Sequence, residues 1–327
     1  MKLPRRTFLH LAAGAAALPI FPRTVTAQTW PSRPVRLVVG FPAGGGADAA
    51  ARIVASRLSD IWGQQVVIEN KGGAGGNIAM DTVAHAPADG YTMLFGTPGL
   101  VINRFLYASI NFDPIGDFAA VSLVGSYGNL LVVPNSSPSK TFQEFLAHAK
   151  ANPGRITFAT PGVGTSPHLA GELLKSRAGV DLTHVPYRGV AAGGMSDLIA
   201  SRVDSMFNTT GSLLQAARAG QVRGLAVTSG ERAQAAPEFP TMAEAGVPGF
   251  DVSGWYALLA PAKTPPEIVR KMNADAVAAL AEPAILAKFE PLGIDVRSST
   301  PEALAARIRR ENDLWGPVIK AANIKGE

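Results

Sequence analysis

One pattern recurs along this chain and restricts its fold more than any other: a short β-branched run, a glycine-rich turn, then an alanine-rich segment with helical spacing. The first copy is Val35–Phe41, then Pro42-Ala43-Gly44-Gly45-Gly46-Ala47-Asp48, then a helix expected from about Ala49 to Ile61. The second is Val66–Glu69, then Gly72-Gly73-Ala74-Gly75-Gly76-Asn77, with a helix to about His85. A third strand, Tyr91–Phe95, ends in Gly96-Thr97-Pro98-Gly99. Strands alternating with helices predict an α/β protein whose mainly parallel sheet is covered on both faces.

The same grammar restarts after a Leu130–Val133 strand. A helix is expected near Thr141–Ala151, then strand Ile156–Ala159, the turn Gly162-Val163-Gly164-Thr165-Ser166-Pro167-His168 and a helix through Leu174. Strand His184–Pro186, a helix near Ala192–Ser201, and strands Ser205–Phe207 and Gly224–Thr228 complete a second set. Gly254–Pro261 reads as extended and apolar, and beyond Thr264-Pro265-Pro266 the chain is helical to about Ala322, with the prolines suited to a helix start. A chain of 327 residues is long for one hydrophobic core and comfortable for two lobes. Residues 28–130 and 255–327 are assigned to the first lobe and 131–254 to the second, with Leu130–Val133 and Trp255–Ala260 as the two crossings at a hinge.

Residues 1–27 stand apart. Lys2, Arg5 and Arg6 precede an apolar run from Phe8 to Phe21, and Val25-Thr26-Ala27 offers a cleavage site, so the segment reads as an export signal. The Arg5-Arg6-Thr7-Phe8-Leu9 string also fits twin-arginine export, and both routes stay open. Removing four basic residues and no acid takes the formal charge from +5 to +1, which leaves no electrostatic footprint for nucleic acid or an anionic membrane. The absence of cysteine excludes disulfides, thiolate chemistry and thiol-ligated zinc together.

A glycine turn between strand and helix presents unpaired amides beside the positive end of the helix dipole, which favours a carboxylate or phosphate. Gly44-Gly45-Gly46 and Gly72–Gly76 offer this in the first lobe and Gly164-Thr165-Ser166 in the second. None is a nucleotide fingerprint: Pro167 and Ile78 stand where the dinucleotide pattern needs glycine. Ser166 on a strand-to-helix turn could be a hydrolase nucleophile, but the closing glycine and a late histidine are missing. The histidines lack helical metal-ligand spacing, so neither metal nor cofactor is expected. Asp48 reads either as a site residue or as a helix cap; His168, Tyr187-Arg188-Gly189 and Asn208-Thr209-Thr210 fall where they could face the same cleft, with Arg188 able to pair with a carboxylate.

These residues resemble the Bug family, the periplasmic substrate-binding proteins of tripartite tricarboxylate transporters. The likeness is carried by Phe41–Asp48, by Glu69-Asn70 with Gly73–Asn77, and by Ala88-Asp89-Gly90-Tyr91-Thr92. It continues through Gly162–Thr165 with His168-Leu169 and Glu172, then Val185-Pro186-Tyr187-Arg188-Gly189, Pro240–Gly246, and Trp255 with Pro261. The resemblance implies a type II-like Venus-flytrap fold, a monomer in the periplasm, and transient delivery of a small carboxylate to membrane transporter subunits. The ligand contacts it implies come from Phe41, Ala43, Gly44, Gly45, Gly46, Asp48, Gly73, Ala74, Gly75, Gly76, Asn77, Gly96, Thr97, Gly164, Thr165, Ser166, His168, Tyr187, Arg188 and Asn208. Two departures stand out: no proline near Ala192-Gly193, and Asn208 where the family commonly has aspartate. A ligand sensor for a membrane kinase and a secreted hydrolase acting through Ser166 are the alternative readings.

Overall fold

The computed structural model describes residues 30–187, 193–321 and 324–325. Residues 1–27, read from the sequence as an export signal, and Arg188 therefore lie outside the described residues.

Two sheets organise the molecule. The first is built from β1 (Val35–Val39), β2 (Val66–Asn70), β3 (Thr92–Gly96), β4 (Phe118–Tyr127), β10 (Gly254–Pro261) and β11 (Asp295–Val296), in the order β11-β4-β10-β3-β1-β2. The second holds β5 (Asn129–Pro134), β6 (Ile156–Thr160), β7 (Leu182–Pro186), β8 (Ser205–Thr209) and β9 (Val222–Val227), in the order β7-β6-β8-β5-β9. Both are mixed. In the first, β1 to β4 run one way while β10 and β11 oppose them. In the second only β5 opposes the rest. Three of the five strand pairings in the first sheet and two of the four in the second are antiparallel, so the sheets expected to be mainly parallel are mixed: β5 and β10, which each follow a change of sheet, and the short edge strand β11 run against their neighbours.

The chain leaves the first sheet at Tyr127 and enters the second at Asn129, through the single residue Gly128. It returns just ahead of Gly254. Leu130–Val133 and Trp255–Ala260 are thus strand interiors on either side, each one to three residues beyond the change of sheet itself.

Helices cover both faces because the strands are apolar on both sides. Along β1, Val35, Leu37 and Val39 pack with α1 (Gly46–Trp62), α8 (Pro266–Leu280) and α9 (Pro283–Phe289), while Val38 packs the other way with α2 (Asn77–Ala84) and α3 (Gly99–Leu106). The alanines of α1 (Ala47, Ala50, Ala51, Ala55) are buried and allow close approach to the sheet, and Leu58 anchors the same face, worth about 1.5–3 kcal/mol by its burial. Gly63, in the left-handed conformation, ends α1. The last helix, α10 (Pro301–Ala321), returns to α3 and β4 of the first lobe and accepts the Trp255 indole N–H on Glu311 at 2.7 Å. In the second lobe the helices are α4 (Phe142–Ala151), α5 (Ser166–Ala178), α6 (Met195–Ile199) and α7 (Thr210–Arg218). Among the described residues no helix is long and apolar enough to cross a membrane.

Candidate functional site

β1, β3, β6 and β8 end at the cleft, and the helix that follows each of them begins there. α1 starts at Gly46 and α3 at Gly99 in the first lobe; α5 starts at Ser166 and α7 at Thr210 in the second. Gly46, Gly99, Ser166 and Gly211 all line one cavity of about 660 Å³. First-turn amides have no acceptor within their own helix, so four positive helix ends face a shared space.

In the first lobe the turn before α1 is held from inside. Gly44 has φ +84°, and its N–H donates to Asp48 Oδ2 at 2.9 Å. That carboxylate also accepts from Arg52 Nε at 2.8 Å and from Asn70 Nδ2 at 2.9 Å, and Asn70 Nδ2 reaches Phe41 O at 3.0 Å. The Arg52 hydrogen bond, outweighing burial, lowers the Asp48 pKa to about 2. Asp48 and Gly44 are therefore scaffold: the acceptor and the amide are spent on each other, and Gly45, Gly46 and Ala47 stand at the cavity wall instead. Of the next turn only Gly75 reaches the cavity. Gly73, Ala74 and Gly76 shape it, all at positive φ, and a Cβ on Gly40 would lie 2.9 Å from the Gly76 Cα. Asn77 Oδ1 accepts from Asn103 Nδ2 at 2.7 Å, and the same Asn103 amide reaches Gly75 O at 3.0 Å. After β3, Gly96 packs against Leu259 while Thr97, Pro98 and Gly99 line the cavity.

The second lobe repeats the device with a different acceptor. Gly164, at φ +75°, donates its N–H to His168 Nδ1 at 3.0 Å, and Thr165 Oγ1 donates to Gly162 O at 2.7 Å. His168 is buried, stacked on His184 with ring centroids 3.9 Å apart. Burial, then the neighbouring His184, pushes its pKa down to about 3, so the ring is neutral and can accept. His168 thus serves the turn and does not line the cavity. Ser166 Oγ accepts from Asn129 Nδ2 at 2.8 Å, which leaves its own hydroxyl proton to donate elsewhere. Its partner is an amide, not a general base, so the nucleophile geometry expected of a hydrolase is missing.

Asn208 lines the cavity with its Oδ1 accepting Thr209 N–H at 2.7 Å, and its buried Nδ2 has no partner. Tyr187 does not: its hydroxyl donates to Asp197 Oδ2 at 2.8 Å beside α6. Ala43 is also absent from the wall. Of the expected contacts, then, Phe41, Gly45, Gly46, Gly75, Thr97, Gly164, Thr165, Ser166 and Asn208 come together around one space.

Several wall residues were not foreseen. Gly211 and Ser212 follow the expected Asn208-Thr209 stretch, of which Thr209 also reaches the wall, and repeat the strand, small-residue turn and helix grammar, which is the signal available in the sequence. Tyr127 and Tyr256 meet at the sheet crossings, ring centroids 5.0 Å apart, with the Tyr127 pKa pushed up to about 12 by burial. Ile102, Leu106, Val163, Leu292 and Ile294 add an apolar stretch to the wall, beside the polar Asn103 and Tyr107. Among the described residues that line it, none carries a charged side chain, while backbone amides, hydroxyls and helix N-termini face the space. No group of metal-ligating side chains occurs among the described residues.

Two lobes joined by two crossings, with a cleft walled by helix N-termini, have the architecture of a solute-binding protein of the Venus-flytrap type. The model of the tripartite tricarboxylate transporter family receptor matches residues 50–324, and the chain belongs to that family. It is 43% identical over 293 residues to a protein of Pseudomonas sp. strain P51 described as lying in the tcbD-tcbE intergenic region, covering 89% of this chain and 87% of that one. Its fold matches that of Rpa4515 from R. palustris, solved with adipate, at a TM-score of 0.80 and 37% identity over 90% of this chain and 99% of the other. The periplasmic binding protein BugD matches at a TM-score of 0.77 and 35% identity, covering 91% of this chain and all of that one.

Proposed function

We propose that this receptor captures a small molecule bearing one or two carboxylates, with the lobes hinging at Gly128 and just ahead of Gly254, and presents it to the membrane subunits of its transporter. Residues 1–27 would direct it to the periplasm and be removed after Ala27. The observation that carries the reading is the convergence of four helix N-termini, two from each lobe, on one cavity whose described lining residues carry no charged side chain. Each helix end contributes about 0.3–1 kcal/mol to an anion, and each charge-assisted hydrogen bond about 1.5–3 kcal/mol. A few of each reach the roughly −8 kcal/mol of micromolar binding. Adipate, bound by the similar Rpa4515, is the natural first probe. The apolar wall of Ile102, Leu106, Val163, Leu292 and Ile294 favours a ligand with a hydrocarbon body over a hydroxylated one of equal charge.

Calorimetric titration of the mature protein with straight-chain diacids, aromatic acids and hydroxy acids tests this. Micromolar binding of at least one acid with a hydrocarbon body supports it. Binding of none, or of neutral solutes alone, rejects it.

A further inference from the structure

We infer that Gly211, packed against the Leu292–Gly293 backbone, is the seat on which the two lobes close, and that its missing side chain is required for capture and not for folding. Only the affinity arm of the test below depends on the binding function proposed above.

Gly211 belongs to α7 of the second lobe, whereas Leu292 and Gly293 follow α9 in the first, at the end of the short 3-10 turn Glu290–Leu292. A Cβ on Gly211 would overlap the carbonyl of Leu292 and sit 3.2 Å from Gly293 N. Reciprocally, a Cβ on Gly293 would lie 2.7 Å from Gly211 N and 2.8 Å from its Cα. Both sets of neighbours are backbone, which cannot rotate away as a side chain can.

The two glycines have different reasons to be there. Gly293 has φ +64° and ends the 3-10 turn in a left-handed conformation, a local demand. Gly211 has none: it is the second residue of a right-handed helix, where alanine is at least as favourable. The demand for glycine at 211 comes from across the cleft alone. On the opposite rim, the corresponding contact is between Gly164 and the flexible end of Leu106, which can yield. Flanking the seat, Gln234 N–H donates to Asp295 Oδ1 at 3.2 Å and Arg297 Nη2 pairs with Glu231 Oε2 at 2.6 Å, both exposed and individually weak. The rigid stop is therefore the glycine pair.

The seat also connects to the hinge and to the cavity. Thr210, next in chain, donates both its N–H and its hydroxyl to Gly128 O at 3.0 Å, and Gly128 is the residue at which the chain changes sheets. Gly211 and Leu292 themselves reach the cavity wall, so seating them brings the first turn of α7 over the space where a ligand would lie.

The chain has no cysteine, so two can be introduced for site-specific spin labels at the exposed Lys140 of the second lobe and Lys288 of the first. Distances are measured in the otherwise native protein and in Gly211→Ala, without ligand and with millimolar adipate, alongside thermal melts and titrations with the acids above. The expected result is a compact lobe separation in the native protein that Gly211→Ala shifts to longer distances. The ligand-free melting temperature of Gly211→Ala stays equal or rises slightly, while the Kd for any acid that binds increases at least tenfold. The inference is overturned if Gly211→Ala keeps the native distance distribution, or if the native protein never shows the compact separation. It is equally overturned if Gly211→Ala melts several degrees lower, which would make the glycine a folding requirement. Should no acid bind the native protein, the binding reading fails while the distances still decide the seat.

Discussion

Gly44 in the first lobe and Gly164 in the second occupy equivalent places, each two residues before a helix, each at left-handed φ, and each donating its amide to the side chain four residues on. In the first lobe the acceptor is the ionised carboxylate of Asp48, neutralised by Arg52. In the second it is the neutral ring of His168, kept neutral by burial and by stacking on His184. One geometric task, holding open a turn so that a helix end can face an anion, is met by two acceptors of opposite electrostatic character. The difference teaches that the turn's shape, and not the charge beneath it, is what both lobes share. It also means that the two halves of the site answer differently to mutation and to acid.

The largest effect is expected from Asp48→Ala, which leaves the Gly44 amide, Asn70 and Arg52 without their common acceptor. About 3 kcal/mol of stability should be lost, read as a lower denaturation midpoint with an unchanged slope. Asp48→Asn, which retains an acceptor oxygen, should cost about half as much. His168→Ala should cost less, about 2 kcal/mol, because a neutral hydrogen bond and a stacked ring are lost but no charge is orphaned. Equal costs at the two positions would erase the distinction drawn between them.

Acid separates the lobes next. His168 has a pKa of about 3 in the fold against an ordinary 6.5, so the unfolded chain takes up the proton first. Its contribution is complete above about pH 6.5 and is lost as pH falls toward 3. Asp48, at about 2 against 3.8, keeps its contribution above pH 3.8 and loses it only as pH falls from there to 2. His184, whose pKa burial lowers to about 4, adds to the same window, so melts between pH 7 and 4.5 should show a decline that His168→Gln lessens and Asp48→Asn does not. The smallest effect belongs to Ser166→Ala. Stability should change by about 0.5 kcal/mol or less, while ligand affinity falls roughly five- to tenfold through loss of one hydroxyl donor. A Ser166→Ala protein that binds as tightly as the native one would remove that hydroxyl from the site.

The alternation of apolar runs, glycine turns and alanine-rich helices made both lobes legible, since each is encoded in contiguous residues with a clear period. The cleft positions of Gly46, Gly75, Thr97 and Ser166 followed, because strand ends and helix starts are local features. Three things were not local. Gly44 and Gly164 look like ligand donors in sequence, yet their amides are spent on Asp48 and His168, a choice visible only in the fold. Leu292 and Ile294 reach the wall from a segment some eighty residues beyond Gly211, placed there by the packing of α9 and β11. The antiparallel strands β5 and β10 each follow a crossing between sheets, which their apolar runs do not reveal.

On the function proposed above, uncharged donors from both lobes hold a carboxylate. A thermal-shift series that pairs each candidate acid with its neutral amide tests it most directly. At about 100 times its Kd, a bound acid should contribute about 2.7 kcal/mol, roughly 2–4 °C for a chain of this size, with no shift from the matching amide. An amide that stabilises the protein as much as its acid would contradict the account.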